Sequence, residues 1–343
     1  VGLFAATGNG LAVSARNYLV TGGSGFIGSS LVCSLVRAGH RVRVLDDNSR
    51  GSLDRLREVK DDIEFVAGDI RQAERVRQAC RGMDAVCHLA YINGTEYFYS
   101  KPALVLEVGV KGMLNVLDGC RAEGVGELLL MSSSEVYQTP PIIPTPEDVP
   151  LVVPDVLQAR YSYGGGKIIS ELLALNYGRE NFSRVIVVRP HNVYGPDMGF
   201  QHVIPQFALR LEEALSAGTS TPVRFPIQGS GEETRSFVYI DDFSRAMELV
   251  LERGEHLQVY HLGNDSEVSI AQLAHTVAEA MGTHIELQAG ELLPGSTLRR
   301  CPDISKLRKL GFQPSVPLTD GVARYVSWFR KRPLSPLTER LSP

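Results

Sequence analysis

The sequence contains no apolar run near the roughly 18 residues that a membrane-spanning helix needs, so no membrane association is expected. It also lacks an excess of positive charge: the net charge is −4 at pH 7, which leaves no basic face for nucleic acid or anionic lipid. The five cysteines form no CxxC pair and leave an odd one over, a pattern of reduced thiols in a cytoplasmic protein rather than of a disulfide frame. The eight histidines fall into no HExxH or other ligand spacing, so no metal site is expected. What is present, 43% apolar and 22% charged residues over 343 positions, suits a globular chain with one α/β core and a smaller appended lobe. Residues 1–16 are small and glycine-bearing, with no basic stretch ahead of an apolar one, and read as a flexible leader rather than a secretion signal.

Short β-branched runs alternate with helical patterns through the first half. Strands are predicted at 18–21, 42–46, 63–67, 85–89, 128–131 and 185–189, and helices at 27–38, 73–80, 104–121 and 163–177. Strands separated by helices imply right-handed crossovers and a parallel sheet covered on both faces, a doubly wound Rossmann-type α/β fold. A Rossmann domain is therefore expected over 17–195. The alternation loosens afterwards, with helical periodicity at 203–217, 243–252, 270–281 and 318–330. We expect 196–335 to form mainly a substrate-binding lobe, with some segments returning to the sheet. The proline-rich stretch 139–154 reads as a loop beside the active site.

The first predicted strand runs into Thr21-Gly22-Gly23-Ser24-Gly25-Phe26-Ile27-Gly28 and then a helix. Gly22, Gly25 and Gly28 give a tight turn, close backbone approach to a pyrophosphate, and tight helix–strand packing. The helix start adds free N–H groups and a positive dipole end. Asp46 ends the second strand 18 residues past Gly28, where an acidic residue bonds ribose hydroxyls and disfavours a 2′-phosphate. NAD is the expected cofactor, with Arg50 keeping NADP open. Asp69 ends the next strand, and two readings stand: contact with adenine, or an N-cap for the 73–80 helix.

Tyr163 and Lys167 are spaced i, i+4 and share a helix face. A tyrosine near pKa 10 is a poor base at neutral pH; one cation about 4 Å away, at an effective dielectric near 20, lowers it by about 3 units. The spacing thus predicts that Lys167 poises Tyr163 as a general base. The three glycines between them each cost a helix roughly 1 kcal/mol relative to alanine, which suggests a backbone lying against a cofactor.

In series, TGGSGFIG (21–28), VLDD (44–47), GDI (68–70), HLA (88–90), SSSEVY (132–137), YGGGK (163–167), RPHNVYGP (189–196) and TRSFVYIDD (234–242) resemble the extended short-chain dehydrogenase/reductase family, in its branch of nucleotide-sugar epimerases, dehydratases and decarboxylases. The resemblance spans residues 17 to about 310. It implies a nucleotide-diphosphate sugar as substrate and oxidation at sugar C4, with Tyr163 taking the proton and NAD the hydride. It extends the cofactor contacts to Phe26, Ile27, Asn48, Ile70, Leu89 and Ala90, and aligns Ser133 with the hydroxyl that bonds the reacting alcohol. Glu135 resembles the glutamate that dehydratases carry after an aspartate and decarboxylases carry in Thr-Ser-Glu. Ser134 stands where the aspartate would be and cannot supply a proton to a departing 6-hydroxyl. Glu135 reads as catalytic or as a capping residue, and His191 as a sugar contact, a second acid/base or a buried structural histidine. Asn93, Thr95, Glu96 and Ser134 are polar candidates for the sugar, Arg235 and Arg300 for the diphosphate, and Asn192, Val203 and Phe225 resemble positions that hold diphosphate, base and ribose. Gly109 stands where relatives have asparagine.

The leading expectation is an epimerase with retained NAD. A 4,6-dehydratase or uronic-acid decarboxylase is the alternative within the class. A simple alcohol dehydrogenase and a non-catalytic dinucleotide sensor lie further off, disfavoured respectively by Arg235 and by the Tyr163–Lys167 pair. A homodimer through helices 104–121 and 163–177 is expected from the resemblance.

Overall fold

The computed structural model describes residues 15–292 and 297–332. Strands and helices alternate in the order β1 (Asn17–Thr21), α1 (Phe26–Arg37), β2 (Arg41–Asp46), β3 (Ile63–Ala67), α2 (Ala73–Cys80) and β4 (Ala85–His88). Next come α3 (Thr95–Ser100), α4 (Pro102–Leu106), α5 (Gly112–Glu123), β5 (Glu127–Met131), α6 (Ser162–Asn181) and β6 (Arg184–Pro190). The remainder holds β7 (Val193–Tyr194), α7 (Val203–Ser216), β8 (Val223–Pro226), β9 (Thr234–Ser236), β10 (Val238–Tyr239), α8 (Ile240–Arg253) and β11 (Gln258–Leu262). It closes with β12 (Glu267–Ser269), α9 (Ile270–Ala280), β13 (Ile285–Gln288), β14 (Arg299–Arg300), α10 (Ser305–Lys309) and α11 (Leu318–Lys331).

Seven strands form one sheet in the order β11-β6-β5-β4-β1-β2-β3, every pair parallel. Strand alternation sorts the side chains into two cores. Leu19, Leu45, Val86, Leu128, Leu130 and Val187 face one side and meet Val76 of α2, Val116 and Leu117 of α5 and Ala174 of α6. Val20, Val44, Cys87, Leu129 and Val188 face the other and meet Leu31 and Leu35 of α1 and Met247 and Val250 of α8. That second core continues without a break into Phe207, Phe225, Leu273 and Tyr325 of the later segments. Sheet order reverses between β1 and β4, and the crevice at the carboxyl ends of such strands is where ligands bind in open α/β folds.

Two local findings differ from the sequence reading, and a third adds to it. Residues 1–14 of the expected leader lie outside the described residues, but Arg16 is part of the fold and pairs with Glu127 of β5 at 2.9 Å. The helix expected over 104–121 starts at Pro102 and passes through a π turn at Glu107–Lys111 before α5. The proline-rich loop is tied to the strand end beyond β14, with Thr145 N donating to Cys301 O at 2.8 Å and Asp303 N to Thr145 O at 2.8 Å. Among the described residues no helix is long and apolar enough to cross a membrane.

Candidate active site

A cleft of about 700 Å³ opens at the switch point. One end is lined by Gly22, Gly25, Phe26, Ile27, Gly28, Asp46, Asp69, Ile70, Leu89 and Ala90, which the sequence assigned to the cofactor. A Cβ on Gly28 would stand 2.1 Å from Gly22 O, and one on Gly22 2.7 Å from Ala90 N, so both glycines are required by close packing. Helix α1 has no side-chain N-cap and no acid in its first turn, which leaves its orphan N–H groups for an anion. The Asp46 carboxylate accepts from Ser24 N and Asn48 N, each at 2.9 Å. These residues fit a dinucleotide.

Several assignments at this end change. Asn48 does not line the cleft; its Oδ1 accepts from Ser24 Oγ at 2.8 Å and holds the loop in place. Asp69 is not an N-cap: α2 is preceded by Gln72, and the Asp69 carboxylate takes Arg71 Nε at 2.9 Å and Arg71 N at 2.8 Å. Arg71 therefore holds Asp69 below the usual carboxylate range. Arg50 lies against the α3 segment, 5.2 Å from the Tyr97 ring centroid, and Arg55 bonds Ser24 O at 3.2 Å; the sequence offered no sign of which way either would turn.

At the other end α6 presents Tyr163 and Lys167, both buried. The phenol shares a hydrogen bond with Ser133, whose Oγ also accepts from Glu135 N at 3.2 Å. The expectation that Lys167 lowers the Tyr163 pKa is not met in this geometry. Lys167 Nζ donates to Met131 O at 2.7 Å and stands 5.8 Å from the Tyr163 ring centroid. Burial instead pushes Tyr163 up, against the Ser133 hydrogen bond that lowers it. Burial likewise draws Lys167 down to about 7, with Glu171 opposing. Glu171, one turn further along α6, binds Ser132 Oγ and receives Arg189 Nε at 2.9 Å and Nη2 at 2.6 Å. The i, i+4, i+8 spacing from Tyr163 was the available signal for it. Two of the three glycines are crowded by protein: a Cβ on Gly164 would stand 2.7 Å from Gln138 Nε2, and one on Gly166 2.2 Å from Tyr91 Oη. Phe98 stacks on Tyr163 with centroids 4.7 Å apart, a wall the loop sequence did not announce.

The Glu135 carboxylate pairs with Arg300. Burial raises its pKa, but Arg300, with Arg160 and Arg235 beyond, outweighs this and keeps it below the ordinary value. Arg235 reaches Thr234 O at 2.7 Å and Thr297 O at 2.6 Å; burial and repulsion from Arg300 pull it down to about 10. Ser134, Asn93, Asn192, Arg235 and Arg300 all line the cleft, with Asn192 Nδ2 donating to Ser236 O at 2.8 Å. Four assignments do not reach it. Glu96 is exposed on α3. Val203 starts α7 and packs on the large core, while Phe225 is 2% exposed and edge-on to Phe207 at 5.3 Å. His191 is 1% exposed, because its backbone continues the pairing with β11 (N to Leu262 O, 3.0 Å) and its ring packs on His261 at 4.7 Å. Burial holds it well below its usual pKa, hence neutral. The Thr95 side chain lies outside the described residues.

A parallel sheet with a glycine-rich phosphate loop at its switch point, faced by a serine just past β5 and a tyrosine and a lysine from α6, defines a dinucleotide-dependent enzyme of the extended short-chain dehydrogenase/reductase class. The chain belongs to the NAD dependent epimerase/dehydratase family, which it matches over residues 18–263, and NAD is its cofactor. It is 31% identical over 320 residues to UDP-glucuronic acid decarboxylase 5 of Arabidopsis thaliana, covering 92% of this chain and 89% of that protein. It is 32% identical over 322 residues to UDP-glucose 4-epimerase of Mycolicibacterium smegmatis, covering 92% and 98%. Its fold superposes with a TM-score of 0.80 on a dTDP-glucose 4,6-dehydratase from Streptomyces venezuelae solved with NAD bound, at 30% identity and covering 92% and 97%.

Proposed function

We propose that this chain is a nucleotide-sugar epimerase that works through transient oxidation at sugar C4 and keeps its NAD through each turnover. The observation that carries this reading is the Glu135–Arg300 ion pair beside Ser134. A carboxylate held ionised cannot protonate a departing hydroxyl, and the neighbouring serine is no acid at neutral pH. Loss of the 6-hydroxyl is therefore poorly served, whereas epimerisation needs only the proton carrier Tyr163. Gly22, Gly25, Gly28 and Asp46 would hold NAD, which when bound would supply a two-electron acceptor for the alcohol carbon. Ser133 and Tyr163 bond the reacting hydroxyl, and Tyr163 takes its proton. Lys167, when protonated, places a positive charge behind the phenol. Arg235 and Arg300 offer planar donors to a diphosphate.

Uronic-acid decarboxylation is the second reading. The order Ser134–Glu135 favours it, and it too needs no protonated leaving hydroxyl. Both readings are tested together by incubating the protein with UDP-, dTDP-, GDP- and CDP-linked hexoses and uronic acids and identifying products by NMR. An epimer supports the proposal, a pentose shifts the assignment to decarboxylation, and a 4-keto-6-deoxy sugar overturns the argument from Glu135. In parallel, Tyr163→Phe is expected to cut turnover by about 10²–10⁴-fold while NAD binding is retained. For assembly, we propose that two copies pair through the exposed Leu106 of α4 and Ile169 and Leu172 of α6.

A further inference from the structure

Tyr91, just after β4, takes no part in the reaction as described, yet it lies at the centre of the site. Its ring centroid is 3.8 Å from Lys167 Nζ, and its ring meets that of Tyr163 edge-on, 5.2 Å between centroids at 84°. Its hydroxyl reaches into a slot between two helical segments. A Cβ on Gly109, in the π turn, or on Gly166, in α6, would come within 2.2 Å of Tyr91 Oη. Two glycines far apart in sequence are thus bare at the point that this phenol fills. The hydroxyl has no hydrogen-bond partner among the described residues, so its interaction with the site runs through the ring.

A cation over an aromatic face is stabilised, and more so where water is excluded. Lys167 is 3% exposed, and its nearest carboxylate, Glu171, is already committed to Arg189 and Ser132. The other charged or titratable groups facing the pair are His88 of β4, Arg50 and Glu135. His88 is neutral, bonded to Thr21 Oγ1 at 2.7 Å and drawn down to about 3 by burial. Lys167 Nζ stands 5.8 Å from the Tyr163 ring centroid, and neighbouring titratable groups buried in one site exchange protons as a pair. With one proton between them the pair is either phenolate and ammonium or phenol and amine, and only the first contains a base.

We propose that Tyr91 is a positioning residue whose ring face shifts that shared proton toward Lys167 Nζ and so raises the share of Tyr163 present as phenolate. The step is a proton transfer from the Tyr163 oxygen to the lysine nitrogen, with no change of oxidation state. It rests on the reading of Tyr163 as the base.

The test is a tyrosinate absorbance titration of the NAD-loaded protein, each variant paired with its own Tyr163→Phe partner so that the difference isolates Tyr163. Tyr91→Phe keeps the ring and is expected to leave the curve in place. Tyr91→Leu removes it and is expected to move the appearance of phenolate up by about one pH unit, about tenfold less phenolate at fixed neutral pH. If the leucine variant does not fold, Tyr91→Met is read in its place with the same expectation. A leucine or methionine curve that coincides with that of phenylalanine overturns the role of Tyr91 alone. A phenylalanine curve that moves as far as leucine assigns the effect to the hydroxyl and also overturns it. A wild-type protein with no Tyr163-dependent phenolate signal overturns the base reading together with this one.

Discussion

Lys167 shows what a buried charge does to the molecule that carries it. Its pKa falls from 10.5 to about 7, so between those values the unfolded chain binds more protons than the folded one. Stability contributed by this residue therefore rises with pH through that window; the penalty is present in full below the folded value and gone above the unfolded one. Lys167→Met should raise the melting temperature relative to wild type most at about pH 6 and least at about pH 10. Thermal denaturation at the two pH values checks this, and an equal gain at both would contradict it. Some single residues were legible in advance. Tyr163, Lys167, Ser133 and Glu135 follow from helix spacing and motif order, and the structure brings them to one cleft. Val203 and Phe225 were not, because motif position does not say which way a side chain turns when the large core competes for it; for His191 the sequence left the buried structural reading open, and the structure takes that one. The place of Tyr91 was unreadable for a related reason: the slot its hydroxyl fills is made by two absent side chains.

Among elements, strands and helices were legible because their periods, 2 and 3.6, are written in the apolar pattern. The π turn at Glu107–Lys111 was not, since the phase shift it introduces falls within a single short helical stretch and cannot be told from scatter in the apolar pattern. The glycines of α6 carried a true signal with the wrong partner. Their bareness marks a close approach, and Gly166 approaches Tyr91. Gly166→Ala is accordingly expected to cost about 1–3 kcal/mol by overpacking, and most of that cost should vanish in a Tyr91→Leu background. Urea denaturation of the single and double variants measures the coupling; strictly additive costs would separate the two residues.

At the scale of the whole molecule, Leu106 of α4 and Ile169 and Leu172 of α6 are apolar side chains left exposed on two neighbouring helices. If two copies meet there, Leu172→Asp buries a charge at the contact and should convert the protein to a monomer, read by sedimentation equilibrium against wild type. A mass unchanged by the substitution would remove this face from the assembly. That the later segments share one core with the sheet was only partly readable, because apolar periodicity reports a buried face and not what it is buried against. The place of β11 carries a consequence for how the chain is made. Residues 258–262 supply the outermost strand beside β6, so a nascent chain displays the β6 backbone as an open edge until Leu262 has left the ribosome. Until then the nascent polypeptide is at its most vulnerable to pairing with a stranger, and a truncation ahead of residue 258 would fix it in that state.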